Sequence, residues 1–375
     1  MSKTIFTSES VCSGHPDKIA DNISDALLDA LIEKDPSTRA GIETVVGNNH
    51  VSIFGEVKSK AKIDYEKITR NTIKSLGYTN PDWGFSDKSN FTNFIHQQSN
   101  EISIGVDNEG AGDQGMMFGY ACNETNELMP MPIVIAHEIT SKLDEFREKG
   151  IFNWLRPDGK SQVTVLYDDG KPVEVNRIVV AVAHDENTKL DKVRKHIIND
   201  VLEPILKSHG YKLPSDNEII INGTGAWYIP GPFTDAGLTG RKIVVDGYGG
   251  YVKVGGGAFS GKDATKVDRS GAYAARFVAK NIVANKYADK CEIGLAYAIG
   301  HKEPIMVSIE TFGTEKVSRL VLQTFVDSII DLSVNGIIRD LGLKKPIYSQ
   351  TTNYGHFGKK DLPWEKIVKS KLIIL

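Results

Sequence analysis

Apolar residues recur with helical spacing at Ile19, Ile23, Ala26, Leu27, Ala30 and Leu31, which predicts an amphipathic helix over roughly 17–34. Alternation then takes over. Gly41–Val57 predicts a hairpin turning at Gly47-Asn-Asn-His50. With Asn48 and Asn49 as the loop, Glu43 faces Phe54. Glu56 then lies two residues farther on the same face, about 7–8 Å from Glu43 at Cα. A second helix follows, with Tyr65, Ile68, Thr72 and Leu76 aligned. The pattern returns with a helix over 132–149, strands at Gln162–Tyr167 and Val173–Ala183, and a helix over 189–207. It returns again with a helix near 271–285, strands at Cys291–Ile299 and Pro304–Phe312, and a helix from about 315. Three helix–hairpin–helix units, ~120 residues apart, predict an α+β protein of three similar domains. We place them at 1–105, 106–230 and 231–375.

Composition narrows the class. The 375 residues are 40% hydrophobic and 25% charged with a net charge of −3, ordinary for a globular protein with a sizeable core. Neither nucleic acid nor an anionic membrane is expected as a partner. No apolar run reaches the ~18 residues of a membrane span, and the first residues lack a signal-peptide core. Cys12, Cys122 and Cys291 are few, odd in number and far apart, which suits a reducing compartment. A cytoplasmic location is expected. No Cys-x-x-Cys accompanies Cys12 and His15 to make a zinc site.

The chemistry concentrates in glycine-rich loops that precede the units. Gly255–Arg269 combines glycines with Lys262 and Lys266 as cations and with Asp263 and Asp268 as candidate metal ligands, a mixture suited to a polyphosphate. Gly256, Gly261 and Lys262 nearly fit a P-loop, but Asp263 stands where its hydroxyl should be. Gly110-Ala-Gly-Asp-Gln-Gly115 fits the dinucleotide pattern, yet the following Met-Met-Phe-Gly-Tyr opens no helix, so it reads as a recognition loop around Asp113. Gly14-His-Pro-Asp-Lys18 begins a helix. There His15, Lys18 and backbone N–H groups would bind phosphate, and Asp17 would hold a metal. Two carboxylates, Glu43 and Glu56, on one face of an apolar hairpin suggest bound cations. Arg241 and Lys242 precede an apparent strand, Ile243–Asp246, and would reach one ligand together only from a bend. Trp227 or Tyr228 could stack on a base. No local Ser-His-Asp or Cys-His signature occurs, so bound cations rather than a protein nucleophile carry the chemistry.

The chain resembles the methionine adenosyltransferase (S-adenosylmethionine synthetase) family over nearly its whole length. The match includes Phe6-Thr-Ser-Glu-Ser10, Gly14–Asp21, Gly110–Gly115, Leu155-Arg-Pro-Asp158 and Lys160-Ser-Gln162. It continues through Gly237–Lys242, Gly255–Asp263, Thr311–Thr314 and Tyr354–Phe357. The resemblance implies three α+β domains about a pseudo-threefold axis, with sheets packed on helices. It implies attack of methionine sulfur on C5′ of ATP with loss of triphosphate, then cleaved to pyrophosphate and phosphate. A thioether carries no proton, so the expected catalysis is electrostatic.

By the same resemblance His15 assists departure of triphosphate, and Lys160, Arg241, Lys242, Lys262 and Lys266 contact phosphates. Asp17 and Asp268 are implied as Mg²⁺ ligands, two ions per site, and Glu43 as the ligand of one K⁺. Glu56, Gln98 and Asp113 face methionine, together with Lys266. Asp158 and Trp227 contact the adenosine part, Ala258 lies in the ATP site, and Glu9 and Asp235 fall at matching positions for either substrate. Homodimers or homotetramers with sites at the dimer interface are implied. The chain departs from the family in its short Val106–Glu109 loop, which implies an altered lid, in Ile42, and in Ala226–Pro232 around Trp227. A catalytically inactive homologue and a P-loop-type ATPase are the alternatives; methionine-dependent release of triphosphate separates all three.

Overall fold

The computed structural model describes residues 3–97 and 110–370. The chain begins with β1 (Lys3–Val11), α1 (Pro16–Lys34), the hairpin β2 (Arg39–Gly47) and β3 (His50–Lys58), α2 (Tyr65–Ser75) and β4 (Asn90–Gln97). The second unit has β5 (Gly115–Cys122), α3 (Met131–Glu148), the hairpin β6 (Leu155–Asp168) and β7 (Lys171–His184), α4 (Leu190–His196), α5 (Glu203–Ser208) and β8 (Ile219–Ile221). The third has β9 (Gly237–Leu238), α6 (Ile243–Asp246), α7 (Val267–Ala284), the hairpin β10 (Lys290–Tyr297) and β11 (Met306–Glu310), α8 (Arg319–Ile329) and α9 (Val334–Asp340). The protein is α+β, and helix–hairpin–helix recurs three times as the periodicity predicts.

The three sheets share one plan. Their orders are β4-β3-β2-β9, β8-β7-β6-β1 and β11-β10-β5. In each, the first hairpin strand takes an antiparallel neighbour from another unit: β9 on β2, β1 on β6 and β5 on β10. The exchange is cyclic, so no sheet is completed by its own stretch of sequence. In the first two, a helical crossover returns the chain to a parallel outer strand, β4 on β3 and β8 on β7. The three first helices are the most buried: α1 packs on β2, α3 on β6 and β1, and α7 on β5 and β10. On α7 nearly every residue is buried, and its small residues Gly271, Ala272, Ala274, Ala275 and Ala279 allow that close approach.

The first hairpin has the predicted register, with Glu43 opposite Phe54 and Gly41 opposite Glu56. Two local expectations are corrected. The helix over 189–207 is interrupted by a π-turn at Ile197–Leu202, next to Pro204, which has no N–H for the carbonyl one turn earlier. The strand expected at Ile243–Asp246 is a helical turn closed by Asp246 N–H donating to Lys242 O at 2.8 Å. As expected, the Gly110–Gly115 loop leads into strand β5 and opens no helix directly. Among the described residues no single helix is long and apolar enough to cross a membrane. The pair α8 and α9 passes together on length and composition but is bent by 69°.

Candidate active site

Helix α1 organises the site through a ladder of carboxylates. Asp17, Asp21, Asp25 and Asp29 are four residues apart, so they share one helix face. Together they accept backbone N–H groups from three distant segments. Asp17 takes Leu238 N at 3.0 Å and Asp21 takes Gly240 N at 2.9 Å. Asp25 takes Gly261 N at 2.8 Å, and Asp29 takes Tyr348 N and Ser349 N at 3.0 and 2.7 Å. Asp25 is also held by Arg269 in a bidentate pair, both bonds 2.7 Å and both groups fully buried. The ladder fixes the loops that carry Arg241, Lys242 and Lys262 relative to His15.

Those loops also line the free edge of β2. Residues 261–263 run antiparallel to Gly41, with Ile42 N donating to Gly261 O at 2.9 Å and Asp263 N to Ala40 O at 3.1 Å. β9 continues along the same edge at Val45 and Val46. Gly261 is required here: its φ is +79°, and a Cβ would lie 1.9 Å from Ile42 O. Ala258 lies against Gly240, joining the two loops. A Cβ at Gly257 would strike the Asp268 carboxylate, and Gly115 borders that carboxylate from the other side. The segments Gly14–Lys18, Gly237–Lys242, Gly255–Lys266 and the end of Gly110–Gly115 thus form one continuous surface.

A cleft of about 320 Å³ opens on it, lined by Glu43, Phe54, Glu56, Ala258, Ser260, Lys262 and Lys266 among others. Glu43 is exposed in the single chain, so the expected desolvation cost of paired carboxylates does not arise there. The buried Ser260 hydroxyl has no hydrogen-bond partner. Two lysine–aspartate pairs lie on the converging loops, and of their four residues Lys262 lines the cleft. Lys242 Nζ pairs with Asp17, whose other oxygen lies 3.5 Å from Arg241 Nη1. Lys262 Nζ pairs with Asp268 at 2.5 Å. Burial resists ionisation of Asp17, but Lys242 and the Leu238 N–H outweigh it and hold its carboxyl below the usual range. Arg241 and Lys242, just ahead of the α6 turn, thus converge on this one carboxylate.

His15 caps α1 and is buried. Its Nδ1 accepts from Asp17 N–H at 3.2 Å, so the neutral ring carries its proton on Nε2. Burial, helped by Lys242 and Lys160, lowers its pKa to about 3. His15 is therefore a neutral donor. The expectation for Lys18 is corrected. It is fully buried and paired with Asp21 and Asp246, so it faces no ligand. Asp263 is spent on structure: its oxygens accept from Ala40 N, Thr265 N and Thr265 Oγ1 and pair with Lys266.

The other expected residues lie farther out. Lys160 is exposed on β6, where it acts electrostatically on His15 and Asp158. Asp158 is buried, accepts from Gly231 N at 2.9 Å and leaves Oδ1 without a partner. Burial pushes its pKa up to about 7 against the Gly231 N–H and Lys160. Asp235 is exposed nearby. Trp227 is half-buried and donates its indole N–H to Ile229 O at 2.7 Å, which leaves only its ring for a base. Asp113 is exposed on a loop anchored to His301 and Gly300 through Ala111. Glu9 is exposed on β1. Gln98 and Val106–Glu109 lie outside the described residues.

Three family models cover the chain in sequence. They are the N-terminal domain of S-adenosylmethionine synthetase over residues 3–100, its central domain over 108–227 and its C-terminal domain over 229–366. The chain belongs to the S-adenosylmethionine synthetase family. It is 51% identical to S-adenosylmethionine synthase of Sulfurovum sp. (strain NBC37-1), covering 97% of this chain and 96% of the relative. It is 48% identical to that of Clostridium tetani, over 98% of both. Against that of Mesoplasma florum it is 46% identical over 99% of both. As a member of the S-adenosylmethionine synthetase family, the chain places its family motifs on the converging loops. What motif reading missed is the support beneath them: Asp21, Asp25 and Asp29, Arg269 and Ser260. The four-residue spacing of the aspartates was a readable sign that one helix face is acidic and buried.

Proposed function

We propose that the protein is a methionine adenosyltransferase, forming S-adenosylmethionine from ATP and L-methionine by attack of sulfur on C5′ with release of triphosphate, which it then hydrolyses to pyrophosphate and phosphate. The observation that carries this reading is the convergence of Arg241, Lys242, Lys262 and Lys266 with Asp17, Asp268 and the donor His15 on one surface. A neutral thioether needs no general base, whereas a departing triphosphate needs fixed positive charge and a donor. Lys160, Arg241, Lys242, Lys262 and Lys266 supply the charge, with Ala258 beside the phosphates, and His15 Nε2–H supplies the hydrogen bond. Glu56, Gln98, Asp113 and Lys266 hold methionine, while Asp158 Oδ1 and the Trp227 ring take the adenosine, with Asp235 between the two substrates.

Asp17 and Asp268 are the Mg²⁺ ligands and Glu43 the K⁺ ligand in this reading. No group of three or more metal-binding side chains occurs among the described residues. Single carboxylates suit Mg²⁺, whose shell is completed by phosphate oxygens and water. When bound, Mg²⁺ would neutralise charge on the leaving triphosphate. The protein works as a homodimer or homotetramer with a site at the dimer interface, in the cytoplasm. Supporting the dimer, Phe54 and Phe94 stack on the open face of the first sheet at 5.0 Å and remain substantially exposed beside Glu43. The three sequence units at 1–105, 106–230 and 231–375 belong to the same reading.

Purified protein given ATP, methionine, Mg²⁺ and K⁺ is expected to yield S-adenosylmethionine by mass spectrometry. Accumulation of ADP without a sulfonium product would replace this reading with the ATPase alternative; no turnover of any kind would favour the inactive homologue.

A further inference from the structure

The groups read as triphosphate ligands and those read as metal ligands are bonded to one another. Lys242 is paired with Asp17, and Lys262 with Asp268. Asp17 is almost wholly buried, and Lys242, Lys262 and Asp268 keep about a quarter or less of their side-chain surface exposed. Charges so sheltered from water are costly to leave alone. Resting on the triphosphate reading of these loops, we infer that the two pairs are a stored form of the site and that ligands bind by exchange of partners. An incoming triphosphate takes the lysines, and a divalent cation takes the carboxylates they release.

The exchange makes the two ligands depend on each other through the protein, beyond their association in solution. Triphosphate alone must strip Lys242 from Asp17 and leave the buried carboxylate with only the Leu238 N–H and the more distant, exposed Arg241. A divalent cation alone must displace Lys242 and leave an ammonium unpaired. Together each group ends with a new partner and none is stranded. The two pairs sit in different loops, Asp17 with Gly237–Lys242 and Asp268 with Gly255–Lys266, so the same exchange can be tested at each pair separately.

Calorimetric titration with inorganic triphosphate tests this without turnover. In EDTA, Asp17→Asn is expected to bind metal-free triphosphate roughly tenfold more tightly than the wild type, a coupling typical of contacting charged groups. Loss of a metal ligand thus strengthens binding of the anion. In a Lys242→Met background the gain from Asp17→Asn should fall to about twofold or less, the residue left by general charge change. Asp268→Asn and Lys262→Met form a second, separate cycle, in case the buried Asp17 variant fails to fold. Equal metal-free affinity for the wild type and the folded Asn variant, or an undiminished gain in the Met background, overturns the exchange while leaving the triphosphate reading standing. Absence of triphosphate binding to the wild type even with Mg²⁺ overturns both.

Discussion

At the residue scale the decisive detail is the protonation of His15. The sequence sets it beside a lysine and an aspartate. Burial and the neighbouring cations of other segments keep it neutral, with its proton on the atom opposite the Asp17 N–H bond. A neutral imidazole can donate one hydrogen bond to a developing anion without adding charge to a site already rich in lysine. His15→Ala should slow sulfonium formation ~10²–10⁴-fold, the range for loss of one positioned donor. ATP affinity should change far less, because several cations also hold the phosphates. Rapid-quench single turnover checks this, and near-normal chemistry in the variant would remove His15 from the step. With the His15 pKa near 3, any inflection of the single-turnover rate between pH 5.5 and 8 should belong to Asp158, raised to about 7, and should vanish in Asp158→Asn; an inflection that persists there would mean that His15 titrates.

At the element scale α1 is both a core helix and a scaffold for loops. Its apolar face packs on β2 while its aspartate face holds three distant loop segments in place. The Asp25–Arg269 pair is its most buried rung. Asp25→Ala strands the guanidinium and should cost about 3–5 kcal/mol in urea unfolding. A loss below ~1 kcal/mol would show that water or Thr351 compensates. Helix α3 offers a pH test. His137 is buried against β1, accepting or donating at Ser10 Oγ at 2.8 Å, with Nε2 unpartnered. Burial lowers its pKa to about 3, helped by Lys359 and Lys18. The unfolded chain binds a proton at about 6.5 that the native fold refuses. The contribution of neutral His137 is therefore complete above pH 6.5 and is lost as pH falls from there towards 3. His137→Asn should flatten the stability profile between pH 4 and 6 by about 1.4 kcal/mol per pH unit, one proton's worth. An unchanged slope would place the proton elsewhere.

At the scale of the whole molecule the first sheet leaves a row of side chains uncovered, Glu43, Phe54 and Phe94 side by side across β2, β3 and β4. A stacked aromatic pair beside a carboxylate that lines the cleft suits a second copy better than water. On the proposed dimer reading, replacing Phe54 and Phe94 together by Ser should turn a dimeric wild type into a folded monomer by light scattering, with a fall in activity; a wild type that is itself monomeric would overturn that reading. A variant that stays dimeric at wild-type activity would move the interface to another face. The cyclic loan of β9, β1 and β5 between sheets ties the three units into one body. Unfolding of the monomeric variant should accordingly be a single transition in calorimetry.

Helical and alternating periodicity alone determined the repeated units, the first hairpin and its register. Those depend on neighbours along the chain and on a side-chain period that allows one buried face. Sequence motifs also marked the loops, since glycine beside lysine and aspartate is uncommon without a ligand. Tertiary structure decided the rest, because it depends on groups hundreds of residues apart. Strands β1, β4 and β9 carry weak patterns and are strands because a hairpin edge receives them. Ile243–Asp246 looks extended but turns as a helix, with Asp246 buried on Lys18. Which lysines face ligand could not be read from type or spacing. Lys18 and Lys242 differ in where their aspartates stand: Asp21, one turn on, and Asp246 enclose the first, while Asp17 holds the second, which stays partly exposed.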